Sequence, residues 1–210
     1  MKTLLILGAT GKVGQALLEQ ALAHPDVALV TAPTRRPLAV RDARLQNPII
    51  DFRALASERW WKADAALCAL GTTLRLAGSQ AAFFEVDHDF VVAGARRARQ
   101  AGTPCFVLNS ALGANARAGN FYLRVKGQAE DSVAALGFES LTLVRPSMLD
   151  AGPREDPRPA ERAGLQVMKL AAPLIPRRYR AVTVAVVARR MLQSALNAPM
   201  GRHVIESDAI

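Results

Sequence analysis

Two groups of side chains in this chain of 210 residues have types and spacings that chemistry can use. The first is Tyr122 with Lys126, four apart and so one helical turn from each other on a shared face. An ammonium beside a phenol favours the phenolate, the form that accepts a proton from a reacting hydroxyl. Ser110 closes an apolar run just upstream and is suited to face the same substrate oxygen from the other side. An exposed tyrosine beside a snorkelling lysine is the ordinary alternative for this spacing. The pair gains weight from its position, after a serine-ended strand and a short loop.

The second group is Gly8-Ala9-Thr10-Gly11-Lys12-Val13-Gly14. It follows the β-rich run Lys2 to Leu7 and opens a helical pattern of Val13, Leu17, Leu18, Ala21 and Leu22. In such a strand-loop-helix, Gly8 allows a tight turn, Gly11 lets main chain approach a pyrophosphate, and Gly14 lets helix and strand pack closely. The free amides of the helix N-terminus then hold the phosphates. The G-x-x-G-x-x-G spacing and its place after a strand favour a dinucleotide site over a plain turn.

The elements that must position these groups follow in order. Val27 to Thr31 reads as the second strand. An acidic residue at its end would mark a site for NAD. Thr34, Arg35 and Arg36 stand there instead, and guanidinium forks match a 2′-phosphate, with Lys12 as a second cation. NADP is therefore expected, and NAD less so. Pro48 to Asp51 reads as a third strand, which would bring Asp51 and Phe52 toward the adenine end. Ala54 to Lys62 reads as a helix, with Trp60 and Trp61 packing beneath it. Ala65 to Leu70 is a continuous apolar run, as in a strand covered on both faces. Gly71-Thr72-Thr73 then gives a small-residue turn against which a dinucleotide can lie. Ser79 to Gln100 reads as one long helix; His88, between Asp87 and Asp89, lacks helically spaced ligand partners, so no metal site is assigned. Pro104 to Leu108 and Leu141 to Val144 read as the fifth and sixth strands.

Beyond Ala151 the pattern expects a proline-rich loop over 152–159, helices near Ala160 to Ala172 and Val184 to Asn197, and a final strand Arg202 to Glu206. The expectation is one α/β domain over 1–210, a doubly wound, mainly parallel sheet, with 151–210 forming a small substrate-side cap. The net charge of +9 comes mostly from arginine clusters. No nucleic-acid module or aromatic-interleaved basic patch accompanies it, so a solvated basic surface is expected. Apolar runs stop short of the roughly 20 residues a membrane span needs, and no export leader is evident. Cys68 and Cys105 fall inside apolar runs, as buried thiols of a cytoplasmic protein would. That placement also argues against an acylating dehydrogenase, which needs an accessible nucleophilic cysteine.

The glycine loop, Gly71-Thr72-Thr73, Ser110, Tyr122-x-x-x-Lys126 and Arg145-Pro146 together resemble the atypical short-chain dehydrogenase/reductase superfamily. Within it, Leu70-Gly71-Thr72-Thr73, Val86-Asp87-His88-Asp89 and Tyr122 to Gly127 are most similar to the Tat-interacting-protein oxidoreductase family. The resemblance implies a Rossmann fold binding NADPH and a small carbonyl substrate. It also implies roles: Ser110 polarises a carbonyl, Tyr122 is the acid/base, Lys126 holds the ribose, and Pro146 flanks the nicotinamide. Asn109 stands where relatives often carry a second serine, and no relay asparagine is evident. The family includes members discussed as regulators, so a cofactor-binding protein with a protein partner is the alternative.

Overall fold

The computed structural model describes residues 1–150 and 176–210. The loop expected over 152–159 and the helix expected near Ala160 to Ala172 lie outside them. β1 (Lys2–Leu7) passes through the glycine loop into α1 (Lys12–Ala23), and β2 (Val27–Thr31) and β3 (Leu45–Gln46) follow. Then come β4 (Ala65–Cys68), the short helices α2 (Leu74–Ala77) and α3 (Gln80–Phe84), and α4 (Phe90–Gln100). β5 (Cys105–Asn109), α5 (Phe121–Ala134) and β6 (Ser140–Arg145) complete the centre. A two-strand pair, β7 (Leu149–Asp150) with β8 (Val182–Thr183), precedes α6 (Val184–Asn197) and β9 (Gly201–Glu206).

Seven strands form one sheet in the order β3-β2-β1-β4-β5-β6-β9, every neighbouring pair parallel. Parallel neighbours need crossover connections, which place helices on both faces. Leu4, Ile6 and Val107 point to one face, against Leu17 of α1 and Met191 of α6. Leu5, Leu7 and Phe106 point to the other, against Val91 and Ala95 of α4 and Val133 of α5. This two-sided burial is the reason the central strands read as unbroken apolar runs. The chain winds one way from β1 to β3 and the other way from β4 onward, so a crevice opens between the carboxyl ends of β1 and β4. The fold is a doubly wound Rossmann-type α/β sheet.

Three local expectations change. The third strand is Leu45–Gln46, not Pro48 to Asp51, which makes only one isolated bridge, Thr34 to Ile49. Pro48 has no N–H to donate to a ladder. The helix expected over Ala54 to Lys62 is a single 3-10 turn, Arg59–Trp61. Side chains capture the carbonyls a helix would use: Arg97 donates to Leu55 O at 2.5 Å and the Trp61 indole to Ala56 O at 3.0 Å. The long helix over Ser79 to Gln100 is divided by a π-helical turn, Glu85–Asp89. Within the stretch expected as a cap, α6 packs on the sheet and β9 extends it as a parallel strand beside β6.

Candidate functional site: a cleft at the carboxyl edge of the sheet

Gly8 has φ +87°, and a Cβ there would lie 2.6 Å from Leu70 N; one on Gly14 would lie 2.0 Å from Gly8 O. Real Cβ atoms do not come so close, so turn geometry and helix–strand packing account for these two glycines. Gly11 differs, since a Cβ on it would meet nothing nearer than 3.5 Å. Protein packing leaves room for a side chain there. That room leaves the main chain of the loop open to close approach. Gly11 is also the N-cap of α1, which has neither a capping side chain nor an acid in its first turn. The positive end of the helix is left for an anion.

Two adjoining cavities flank this loop and share Thr10, Gly11, Ala69, Leu70 and Gly71. The smaller, about 160 Å³, is lined by Gly8, Thr34, Arg35, Phe52, Val86 and Phe90. Phe52 stacks on Phe90 at 5.5 Å, an apolar wall suited to a planar base. The loop carrying Arg35 is fixed by Thr34, whose hydroxyl donates to Arg36 O at 2.6 Å and accepts from the Asn47 amide at 2.8 Å. Arg35 and Arg36 are both exposed, but only Arg35 lines the cavity. Asp51 is also exposed and lines neither cavity; its carboxylate accepts from Arg53 N at 2.9 Å.

The larger cavity, about 860 Å³, gathers Lys12, Val13, Thr72, Ser110, Tyr122, Lys126 and Pro146. Asn120 caps α5, accepting from Leu123 N at 3.2 Å, so the helix begins one residue before Tyr122. The Tyr122 ring leans on buried Phe83 of α3 at 5.8 Å, with its face partly open to solvent. Lys126, one turn on, is buried and pairs with buried Asp87 at 2.8 Å. The other Asp87 oxygen accepts from Thr72 N at 2.7 Å, which ties the turn after β4 to α5 through the π-helical turn. Burial works against the Lys126 ammonium, but the Asp87 carboxylate, then the Tyr122 phenol, outweigh it and hold Lys126 above its ordinary value.

Opposite stands a second buried group. Ser110 donates to Glu130 at 2.5 Å, and Glu130 takes two hydrogen bonds from Arg145, at 2.9 Å and 2.5 Å. Arg145 also reaches Glu206 of β9 at 3.1 Å. Glu130 is 1% exposed, and its hydrogen bond holds the Arg145 guanidinium above its usual value. Neither Asp87 nor Glu130 stands out in the sequence as a site residue. Glu130 follows Lys126 by one further helical turn, and that spacing was the signal available.

Known proteins fit this geometry. Residues 8–196 match a family model described as NAD(P)H-binding. Protein HTATIP2 of Rattus norvegicus is 33% identical, with 100% of this chain aligned to 88% of that protein. Protein fmp52, mitochondrial, of Aspergillus fumigatus is 36% identical over 171 residues, 78% of this chain and 73% of that one. The chain belongs to the atypical short-chain dehydrogenases/reductases. Two solved structures share the fold at low identity. A Burkholderia thailandensis oxidoreductase of the short-chain dehydrogenase/reductase family superposes with TM-score 0.70 at 21% identity, covering 100% of this chain and 92% of that one. MoeE5, solved with UDP-glucose and NAD, gives 0.72 at 18% identity, covering 97% and 75%. The glycine loop lies at the switch point of the sheet, within the span that the NAD(P)H-binding family model matches. Among the described residues, no helix is long and apolar enough to cross a membrane.

Proposed function

We propose that this chain is an NADPH-dependent oxidoreductase acting on a small carbonyl or alcohol. The observation that carries the reading is one cavity lined by Gly11, Lys12, Ser110, Tyr122 and Lys126 together. Gly11 and the α1 amides hold the diphosphate, and the wall of Phe52 and Phe90 takes the adenine. Arg35, with Arg36 and Lys12 nearby, supports a 2′-phosphate and so NADP over NAD. Bound nicotinamide supplies or accepts the hydride. Tyr122 exchanges a proton with the substrate oxygen, and Lys126, braced by Asp87, reaches the ribose and keeps positive charge beside the phenol. Ser110 faces the same oxygen. Buried free Cys68 and Cys105 support a reducing compartment such as the cytoplasm.

The test is titration of the purified chain with NADPH and NADH, then a carbonyl panel followed at the nicotinamide absorbance. Tyr122→Phe is expected to bind NADPH as the parent does and to lose turnover by roughly 10²- to 10⁴-fold. Undiminished turnover in that variant removes Tyr122 from the proton step. NADPH binding with no turnover on the panel supports the cofactor-binding regulator instead. A chain that binds neither nucleotide refutes the reading.

A further inference from the structure

Exposure sorts the side chains of the larger cavity by their chemistry. Ser110 and Lys126 lie deep, 4% and 6% exposed, and Tyr122 comes next at 36%. At the mouth stand Leu149, Tyr179, Met148 and Leu76, the last three 60%, 66% and 75% exposed. They come from separate segments: Leu76 from α2, Met148 and Leu149 from the chain entering β7, and Tyr179 from a 3-10 turn, Arg177–Tyr179. Exposed apolar side chains gathered from distant segments around one opening mark a ligand groove. The hydroxyls beside them are engaged with main chain. Ser147 donates to Arg180 O, and Thr73 caps α2 by accepting from Leu76 N at 3.2 Å. Val182 N donates to Met148 O at 2.9 Å, which ties the Tyr179 segment to the β7 segment. Arg177 and Arg178 are outside the lining, whose charged members among the described residues are Lys12, Asp87 and Lys126. The outer wall thus presents mainly carbon, with no cation for a phosphate or a carboxylate.

We propose that the substrate of this site carries an apolar chain, with its oxygen at Tyr122 and its tail along Leu76, Met148, Leu149 and Tyr179. Resting on the oxidoreductase reading above, this names the substrate class: uncharged aliphatic ketones or aldehydes and their alcohols. The polar head reaches the deep end of the cavity, and the tail covers side chains that water otherwise meets. Each methylene moved from water onto carbon favours binding by up to about fourfold, so chain length sets affinity. Leu76 and Tyr179, on opposite sides of the Met148 segment in sequence, are the specificity-determining residues of this wall.

The test uses the NADP-loaded full chain, which cannot reduce a ketone, with 2-butanone, 2-hexanone and 2-octanone. Calorimetry gives each Kd. The parent is expected to hold 2-octanone roughly 20- to 200-fold more tightly than 2-butanone. The double variant Leu76→Ser, Tyr179→Ser changes two exposed sites, so it should fold as the parent does. Its 2-octanone to 2-butanone ratio should fall by about tenfold. Met200→Ser removes an apolar side chain that is as exposed but lies outside the cavity, and it should keep the parent ratio. An affinity that does not rise with chain length overturns the proposal, as does a rise that the double variant keeps or that M200S loses. Sedimentation of the parent with phosphatidylcholine vesicles beside a flat ketone series gives the patch to a lipid surface and overturns it likewise. A parent chain that takes up neither NADP nor NADPH fails the oxidoreductase reading itself, so the two failures are distinct.

Discussion

At the scale of single residues, the cleft separates side chains that touch a ligand from those that hold others in place. Arg35 lines the smaller cavity, and neither it nor Arg36 is held in an ion pair among the described residues. Their charge is thus available to a ligand. The double variant Arg35→Ala, Arg36→Ala is expected to weaken NADPH by tenfold or more, as charge-assisted bonds are worth roughly 1.5–3 kcal/mol, and to leave NADH nearly unchanged. Fluorescence titration with both nucleotides checks it, and equal loss for the two would remove these arginines from the 2′-position. Cys68 illustrates the opposite case. It lies in the strand beneath the turn that lines the cleft, yet burial pushes its thiol up to about 12, so it is no nucleophile.

At the scale of elements, one buried carboxylate staples three pieces of chain. Asp87 holds Thr72 N after β4 and Lys126 on α5, from a π-helical turn in which Glu85 faces Arg53 at 2.8 Å and His88 faces Ser132 at 3.1 Å. Such turns re-aim side chains that a regular helix would place elsewhere. Asp87→Asn is expected to cost roughly 3–5 kcal/mol at neutral pH, because it leaves a buried ammonium without its counter-charge. Lys126 is held above its ordinary value in the folded chain. Its contribution is therefore complete below the unfolded lysine range near pH 10.4 and is lost as pH rises through the folded value. The gap between parent and variant should narrow in alkali, which denaturant melts at pH 7 and pH 11 would show. Elements built from local patterns were legible in advance: the strand, glycine loop and helix at the start, the Tyr122–Lys126 spacing, and Val184–Asn197. The staples were not. Asp87 and Lys126 meet only because two helices pack, and Ser110 and Glu130 because a strand end faces a helix. Ala54 to Lys62 departs from its helical pattern for the same reason, since Arg97 from a distant helix takes the Leu55 carbonyl.

At the scale of the molecule, the cleft is assembled from both halves of the sheet: the turns after β1, β2 and β4 line one part of it, and the ends of β5 and β6 with α5 line the other. A ligand bridging them favours the folded state over the unfolded one. NADPH at a hundred times its Kd should add about 2.7 kcal/mol, which for a domain of this size raises Tm by roughly 5–10 °C. A melting curve with and without nucleotide measures this. No shift at saturating NADPH would mean that the halves are not bridged.

Because all seven strands run the same way, their carboxyl ends place the glycine-loop cleft at one rim of the sheet, and their amino ends lie at the opposite rim. That rim includes Asp26, Asp64 and Glu139, each next to the amino end of a strand, and Lys62, three residues before β4, with Asp64 accepting from Thr3 N and its hydroxyl at 2.6 Å and 2.9 Å. A linker to a bead, dye or fused partner attached at exposed Lys62 would thus point away from the mouth of the cleft. Such a tethered form should keep the nucleotide affinity of the free chain, whereas anchoring through Lys12 should block it.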